Sequence, residues 1–320
     1  MKESIRKAIR RAADVLAPAP ELAVACHVSP DGDALGSMLG LARAAAAAGK
    51  RVTASFGAPF VVSAQYGFLD LAPLVPPLHF PAAPEVMVVV DVAAPDRLGE
   101  LAGPAARAGT LVMLDHHATN PGFGHVAVVD PAAAATAELV YHLIRRLGWP
   151  LDRETATALL TGIVADTGRF QYSSTAPGVL RVAAALITAG ARPEEIGQRL
   201  YEWRPFGYLQ VAAAVLGRAR LEDGLAWSVL YAADGAAAGV GPEDLEMLID
   251  DLRVAREAEV TALVKEVAGG WKVSLRSRGR VDVGTIAAAH GGGGHHNAAG
   301  FNARGDLAVL VAAVREQAHA

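Results

Sequence analysis

Short apolar runs alternate with helix-like segments through the first half of the chain. Residues 22–26, 86–90 and 111–114 form continuous apolar runs, a pattern typical of strands buried on both faces of a parallel sheet. Residues 4–16 predict an opening amphipathic helix. The alternation continues to about residue 170. It therefore predicts βα units built around a parallel sheet.

A change of pattern near residue 190 predicts a second domain. Segments 183–190 and 193–203 look helical, and Arg204-Pro205-Phe206-Gly207 is a plausible break. Further on, the pattern predicts strands over 225–231, 260–267 and 271–277, a hairpin turn at Gly269-Gly270, and helices over 283–289 and 306–317. We therefore predict an α/β protein with an N-terminal parallel-sheet domain (1–190), a helical linker (191–212) and a smaller C-terminal α/β domain with a mixed sheet (213–320).

Acidic and imidazole side chains follow the apolar runs of the first domain. These residues are His27, Asp31 and Asp33 after 22–26, Asp91 after 86–90, Asp115, His116 and His117 after 111–114, and Asp166 after the apolar segment 159–165. In open α/β sheets, ligands bind outside the carboxyl ends of the strands. The sequence therefore predicts one site at that edge, with buried acids at four segment ends.

The predicted cluster contains five carboxylates and three imidazoles. Buried acids repel each other strongly unless a cation lies between them. The set is large enough for two divalent ions that share one carboxylate, and two such ions can clamp a phosphoryl group. Oxygen and imidazole ligands without thiolate favour Mn²⁺ or a similar ion over structural zinc. A single Asp or His after a strand is more often a helix cap or turn residue, so the prediction rests on the whole set.

Five motifs resemble those of the DHH phosphoesterases and occur in the same order. They are HVSPDGDALGS at 27–37, Asp91 with Arg97, Asp115-His116-His117, Asp166-Thr167-Gly168 within 162–170, and GGGGHHNAAG at 291–300, which resembles the associated DHHA1 domain. The resemblance extends from residue 27 to residue 300. It is greatest to the bacterial nanoRNase/pAp phosphatase subgroup, whose members are two-domain proteins of about this length. It implies an active-site cleft between the two domains.

The resemblance also implies individual roles. It assigns His27, Asp31 and Asp91 to one metal, and Asp33, Asp91, His116 and Asp166 to the other, with Asp91 bridging. The implied catalytic residues are Asp115, His116 and His117, where Asp115 orients an imidazole and His117 faces the substrate phosphate. Substrate binding is assigned to Arg276, Ser277, Gly293, Gly294 and His295. We expect the glycines to present backbone N–H groups and a following helix to add a favourable dipole.

Two roles remain open for several other residues. Ser37 and Arg97 either support the site or lie on the surface, and Arg278, Arg280 and His296 are weaker candidates for substrate contact. Cys26, the single cysteine, precludes an intrachain disulfide. Strand alternation directs it away from His27, which favours core packing.

Composition limits the function classes. The chain has 320 residues, 52% hydrophobic residues and a net charge of −4, which argues against a surface that coats long duplex nucleic acid. No apolar run approaches the ~20 residues of a membrane span, and no secretory signal is evident. We therefore expect a cytoplasmic protein without membrane contact. The sequence leaves homodimerisation open.

The resemblance implies a metal-dependent phosphohydrolase. Its expected substrates are short single-stranded RNA, degraded to mononucleotides, and adenosine 3′,5′-bisphosphate (pAp), dephosphorylated to AMP. The alternative is a phosphodiesterase for signalling dinucleotides such as c-di-AMP or pApA. A pyrophosphatase shares the N-terminal motifs, but the GGGGH segment argues against it. A catalytically silent nucleotide sensor is disfavoured because the predicted ligand set is intact.

Overall fold

The chain divides into two compact units. The computed structural model describes residues 2–319 and separates Met1–Trp203 from Arg204–Ala320. This boundary lies inside the segment 191–212 that the sequence predicts as a linker. Among the described residues, no helix combines the length and apolar character that a membrane crossing requires.

The first unit is built on a parallel sheet. Within residues 2–203 its five strands are β1 (Glu21–Ala25), β2 (Arg51–Ser55), β3 (Val86–Val90), β4 (Thr110–Asp115) and β5 (Val126–Val129). Their order is β2-β1-β3-β4-β5, and every neighbouring pair is parallel. The strands predicted over 22–26, 86–90 and 111–114 are thus confirmed to within a residue at each end.

Helices cover both faces of this sheet. They are α1 (Glu3–Leu16), α2 (Gly32–Ala47), α3 (Ala102–Arg107), α4 (Thr136–Leu147), α5 (Arg153–Asp166), α6 (Pro177–Thr188) and α7 (Pro193–Gly197), with a π-helical turn at Gln198–Glu202. Strand side chains alternate between a large helical core and a smaller one formed with residues 98–105. Burial on both faces explains why the strands are continuous apolar runs. Cys26 is fully buried in the larger core.

One of the four apolar segments has a different conformation from the other three. Residues 159–165 lie in helix α5, and Asp166 is its last residue. The acid therefore ends a helix rather than a strand. A short apolar run cannot distinguish a buried helix from a buried strand by periodicity alone.

The second unit contains a mixed sheet. Within residues 204–319 its six strands are β6 (Arg220–Glu222), β7 (Leu225–Leu230), β8 (Val260–Val267), β9 (Gly270–Ser277), β10 (Gly293–His295) and β11 (Ala298–Ala303). Their order is β10-β11-β9-β8-β7-β6, with β7 and β8 parallel and the other pairs antiparallel. The predicted hairpin at Gly269-Gly270 joins β8 to β9.

Helices pack on both faces of the mixed sheet. They are α8 (Phe206–Gly217), α9 (Ala232–Ala238), α10 (Leu248–Leu252), α11 (Val283–Ala289) and α12 (Leu307–His319). Helices α11 and α12 cover one face, and α8 and α10 contribute to a separate core on the other. The helices predicted over 283–289 and 306–317 are confirmed.

The glycine-rich segment differs from the prediction. Residues 293–303 form the antiparallel β10–β11 hairpin at the sheet edge, and no helix follows the glycines. The expectation that a following helix adds a favourable dipole is therefore wrong. The hairpin forms because the backbone N–H and C=O groups of Ala298–Ala303 pair with β9.

Candidate functional site

The predicted ligands of the first unit converge at the carboxyl edge of its sheet. The chain leaves β1 towards β2 on one side, whereas β3 lies on the other, so a crevice opens between the carboxyl ends of β1 and β3. His27 follows β1, Asp91 follows β3 directly, and Asp115 is the last residue of β4.

Helices supply the remaining carboxylates. Asp31 caps α2 by accepting hydrogen bonds from Asp33 N and Ala34 N, each 3.0 Å long. Asp33 lies in the first turn of α2, and Asp166 ends α5. Two glycines allow these helices to pack closely. A Cβ added at Gly36 would meet the facing helix at 2.3 Å, and one added at Gly162 would meet it at 2.7 Å.

The first group of potential ligands is His27, Asp31 and Asp91. His27 Nε2 lies 3.8 Å from Asp31 Oδ2 and 3.7 Å from Asp91 Oδ2. The other ring nitrogen, Nδ1, lies 2.8 Å from the Val28 carbonyl, which fixes the tautomer with Nε2 as the potential ligand. Arg97 Nη2 is 3.4 Å from Nδ1, so Arg97 lies at the site.

The second group combines Asp33, Asp91, His116 and Asp166. His116 Nε2 lies 3.9 Å from Asp33 Oδ2, 3.7 Å from Asp91 Oδ1 and 3.1 Å from Asp166 Oδ2. Its Nδ1 lies 3.3 Å from the Ala133 carbonyl. Asp91 therefore presents one oxygen to each group, the geometry expected of a bridging carboxylate.

A third cluster surrounds Asp115. Its Oδ1 lies 2.7 Å from His117 Nδ1, and its Oδ2 accepts a 2.6 Å hydrogen bond from Asn120 Nδ2. Asn120 also donates to the Val92 carbonyl. The structure thus pairs Asp115 with His117 rather than with His116. Asn120 was missed by the sequence reasoning, because a polar residue in a loop carries no distinguishing pattern.

Thr136 is a second site residue that sequence reasoning missed. Its Oγ1 donates to Asp91 Oδ1 at 2.9 Å, and its backbone N donates to Asp33 Oδ2 at 2.6 Å. Ala137 N and Ser37 Oγ both donate to Asp33 Oδ1. Ser37 therefore supports the site. No local sequence pattern could predict this role for Thr136, since 103 residues separate it from Asp33.

The backbone at Asp91 adopts a left-handed conformation. Its φ is 58°, a region that non-glycine residues enter rarely and that Asp and Asn tolerate best. Strained conformations of this kind persist where the surrounding structure holds them. At Asp91 the constraint comes from the Thr136 hydroxyl and from the bond between Asp91 N and the Leu114 carbonyl.

Burial and mutual repulsion raise the pKa values of three carboxyls. Desolvation, with the charge of Asp91 in support, raises the pKa of Asp33 to about 7. Burial and Asp31 raise the pKa of Asp91 to about 6, and burial and Asp33 raise that of Asp166 to about 6. For Asp31, burial acts upwards, but the His27 imidazole outweighs it and lowers the pKa below the usual value.

Burial acts on the pKa values of the imidazoles in the opposite direction, but neighbouring acids outweigh it. Burial alone would lower the pKa of His27, but Asp31 and Asp91 raise it to about 9. Burial would also lower the pKa values of His116 and His117. Asp166 outweighs it and raises the pKa of His116, and Asp115 raises the pKa of His117. Each histidine thus lies in a strongly negative field, the condition in which a cation is favoured.

The donor set fits divalent metal. The potential ligand atoms of His27, Asp31 and Asp91 lie within 4.8 Å of one another, and so do those of Asp33, Asp91 and His116. Asp166 joins the second set through its 3.1 Å approach to His116 Nε2. Most of the carboxylate–imidazole distances, 3.7–3.9 Å, exceed a hydrogen bond, as expected for ligands arranged around a common ion. The donors are oxygen and nitrogen only, which suits Mn²⁺ and Mg²⁺ better than a thiolate-bound metal.

The predicted substrate residues of the second unit share one face of its sheet. His295 pairs with Ala298, and Ala298 pairs with Arg276, so the side chains of this row project from the same face. Gly293 lies in the next row on that face, opposite Gly300. At Gly294 the φ is 144°, and an added Cβ would meet the Ala298 carbonyl at 2.5 Å, so this position requires glycine.

Ser277 does not join this row. It neighbours Arg276 on β9 and therefore points to the opposite face. There its buried hydroxyl lies 3.3 Å from Glu259 Oε1 and accepts from Gly279 N. These contacts show that the buried Ser277 hydroxyl supports the turn after β9. A substrate role for Ser277 stays a prediction.

The weaker candidates also have structural partners. Arg278 donates to the carbonyls of Arg253, Ala255 and Ala258, and Arg280 pairs with Glu259. His296 Nε2 lies 3.0 Å from the Gly279 carbonyl, and its Nδ1 lies 3.4 Å from Asp282, which caps α11. Each of these side chains thus stabilises a turn or a helix end.

We expect Thr136→Val to lower kcat/KM by about 10- to 100-fold, the usual cost of removing a group that orients a metal ligand. Valine preserves the shape and the backbone N–H bond to Asp33 but removes the donor to Asp91. Steady-state kinetics and metal titration measure the effect. Thr136→Ser is the control and should retain most activity. Unchanged kinetics in the valine variant would show that the hydroxyl is dispensable.

Comparison with known proteins agrees with the two-unit architecture. Residues 21–163 match the DHH family N-terminal domain, and residues 226–320 match the DHHA1 domain. The chain is 38% identical over 303 residues to the bifunctional oligoribonuclease and PAP phosphatase NrnA of Thermus thermophilus, which covers 92% of this chain and 89% of that protein.

Two solved structures share the fold. An exopolyphosphatase-related protein from Bacteroides fragilis superposes with a TM-score of 0.90 at 24% identity, covering 98% of this chain and 96% of that one. RecJ from Thermus thermophilus, in complex with Mn²⁺, superposes with a TM-score of 0.58 at 18% identity. The match covers 98% of this chain and 54% of the RecJ chain. These likenesses concern the fold.

Proposed function

Because this chain belongs to the DHH family of phosphoesterases and carries a DHHA1 domain, we propose that it hydrolyses short RNA to mononucleotides and dephosphorylates pAp to AMP. The observation that carries this proposal is Asp91, whose two oxygens serve two groups of potential metal ligands. The full-length similarity to a bifunctional oligoribonuclease and PAP phosphatase supports the substrate class. Both reactions release a nucleotide from one phosphorus centre and differ in the leaving group.

We propose that His27, Asp31 and Asp91 hold one Mn²⁺, and that Asp33, Asp91, His116 and Asp166 hold a second. When bound, the two ions would supply an activated water and neutralise charge on the phosphoryl group. The chain itself orients the ligands. Thr136 fixes Asp91, and the N-terminus of α4 and Ser37 fix Asp33.

His117 is the proposed proton donor. Asp115 accepts from His117 Nδ1 and raises the pKa of the imidazole. The protonated ring can therefore present its Nε2–H to a phosphoryl oxygen or deliver the proton to the leaving oxygen. Asn120 holds Asp115 in place through its Nδ2 donor.

Arg276 and His295 are the proposed phosphate-binding side chains of the second unit. A planar guanidinium suits a phosphate because it donates two parallel hydrogen bonds. Gly293 leaves room beside this row for a ligand to approach the backbone, because a Cβ there would meet nothing within 4 Å. We propose that Gly294 contributes to substrate binding through its backbone.

A hydrolysis panel tests the proposal. The substrates are pAp, c-di-AMP, pApA and 5′-labelled RNAs from the dinucleotide upwards, assayed in Mn²⁺ and in Mg²⁺, with Asp91→Asn as the blank. We expect the fastest cleavage for pAp and the shortest RNAs. Preference for c-di-AMP or pApA alone would assign the protein to second-messenger turnover. Metal binding without cleavage of any substrate would contradict the proposed activity.

We expect Arg276→Ala to raise KM for pAp about tenfold or more, since one charge-assisted bidentate contact contributes about 1.5–3 kcal/mol. Metal content should not change, because Arg276 lies on β9 of the second unit. Arg280→Ala is the matched control: Arg280 belongs to the same unit, is 84% exposed and pairs with Glu259. Loss of metal in Arg276→Ala would mean that the residue has been assigned the wrong role.

A further inference from the structure

Arg276 is only partly engaged by protein groups. Its side chain is 24% exposed, and its Nη1 donates to the Leu275 carbonyl at 3.1 Å. Nε lies 3.8 Å from Asp250 Oδ1. Among the described residues, the one hydrogen bond of this guanidinium is the one from Nη1 to Leu275. The guanidinium is thus held from two directions and keeps donors for a ligand.

Asp250 faces this guanidinium from helix α10. Its Oδ1 is buried and accepts no hydrogen bond from the described residues. A buried carboxylate oxygen without a donor is unfavourable unless a cation lies nearby, and Arg276 is the cation that pairs with it. The ion pair with Arg276 therefore accounts for the buried Oδ1 of Asp250.

The neighbouring acid behaves differently. Glu246 bonds Lys265 at 2.7 Å and Lys272 at 3.2 Å, across the β8–β9 pair. These lysines form direct hydrogen bonds with their acid, whereas Arg276 stands 3.8 Å from Asp250. Glu246 thus pairs closely with two lysines, whereas Asp250 pairs only loosely with Arg276.

We propose that Asp250 is a positioning residue that orients the Arg276 guanidinium for a substrate phosphate. Asp250 restrains the Nε side while the Leu275 carbonyl accepts one N–H of Nη1. The two N–H groups of Nη2 and the second N–H of Nη1 remain for the ligand. Arginine otherwise loses considerable rotamer entropy on binding, so a side chain that is already ordered binds more tightly. The inference deepens the proposed function and rests on Arg276 as a phosphate ligand.

Kinetics provide the first test. We expect Asp250→Asn to raise KM for pAp about 5- to 10-fold through lost preorganisation, with kcat within about twofold and metal content unchanged. Asp250→Glu should recover part of the loss. Asp251→Asn is the matched control, because Asp251 lies on the same helix and accepts from Tyr208, and its KM should not change.

A double-mutant cycle separates positioning from a general structural effect. In an Arg276→Ala background, Asp250→Asn should have no further effect on KM. An equal effect in both backgrounds would overturn the proposal. A lower KM in Asp250→Asn would also overturn it, because the carboxylate would then compete with the phosphate.

A measurement without substrate keeps the two proposals distinguishable. ¹⁵N relaxation of Arg276 Nε should report greater mobility in Asp250→Asn than in the wild type or in Asp251→Asn. Equal order in all three proteins would refute the positioning role whatever the activity. Greater mobility in a protein that hydrolyses neither pAp nor RNA would uphold the positioning of Arg276 and reject the proposed substrates.

Discussion

Replacement of Asp91 by asparagine is expected to lower kcat at least about 1,000-fold, equivalent to about 4 kcal/mol of transition-state stabilisation. Asp91 presents Oδ2 to the first ligand group and Oδ1 to the second. A neutral amide cannot replace a bridging carboxylate, so both metals should bind more weakly. No other carboxylate of the site belongs to both groups.

Asparagine is the informative substitution because it preserves the local structure. Asp91 has a φ of 58°, which asparagine tolerates better than most residues. The amide oxygen can still accept from Thr136 Oγ1, as Asp91 Oδ1 does. The loss of activity can therefore be assigned to the lost charge rather than to a changed backbone.

Metal content and kinetics measured together test this prediction. Elemental analysis should show fewer bound ions in Asp91→Asn than in the wild type. Asp152→Asn is the matched control, because Asp152 caps α5 through Thr155 N and asparagine caps equally well. Near-normal turnover in Asp91→Asn would contradict the assignment of two metal ions that share Asp91.

Removal of metal is expected to abolish hydrolysis and to make stability depend on pH. In the metal-free protein the pKa of Asp33 is about 7, those of Asp91 and Asp166 are about 6, and that of His27 is about 9. All four values exceed those of the unfolded chain, so the folded state binds protons more tightly. Its stability should therefore fall as pH rises.

Each group loses its contribution to stability over a different pH range. The carboxyls lose their stabilising contribution as pH rises from about 4 to about 7, and His27 loses its own from about 6.5 to about 9. Metal ions bind the deprotonated carboxylates and imidazoles and so compete with these protons. Stabilisation by metal should therefore grow over the range in which the metal-free protein weakens.

Thermal unfolding with and without Mn²⁺ tests this expectation. At about 100 times Kd the ion adds about 2.7 kcal/mol, which corresponds to a Tm increase of about 5–10 °C for a unit of this size. The increase should be larger at pH 8 than at pH 6 and should shrink in Asp91→Asn. A Tm increase that is independent of pH, or larger at pH 6, would contradict the assigned protonation states.

Much of the fold and of the candidate site could be predicted from local pattern. Strands β1, β3 and β4 are buried on both faces, so each had to be a continuous apolar run. A polar residue directly after such a run lies at the carboxyl edge of the sheet. The positions of His27, Asp91 and Asp115 after these runs therefore predicted that they lie at the carboxyl edge of the sheet.

Other features are invisible to local pattern. Residues 159–165 are apolar in either a buried helix or a buried strand, and only packing against α2 makes them part of α5. The glycine-rich segment forms a hairpin because β9 offers an unpaired edge to Ala298–Ala303. Ser277 and Arg276 are adjacent in sequence but face opposite sides of the sheet.

The sequence by itself determined the α/β class, the carboxyl-edge acids and the ligand types, because burial and strand period act on neighbouring residues. Only the tertiary structure decided which oxygen of Asp91 faces which histidine, that Thr136 supports it, and that Asp250 faces Arg276. Those contacts join residues far apart in the chain. They depend on how helices and strands pack, which no local pattern of residues specifies.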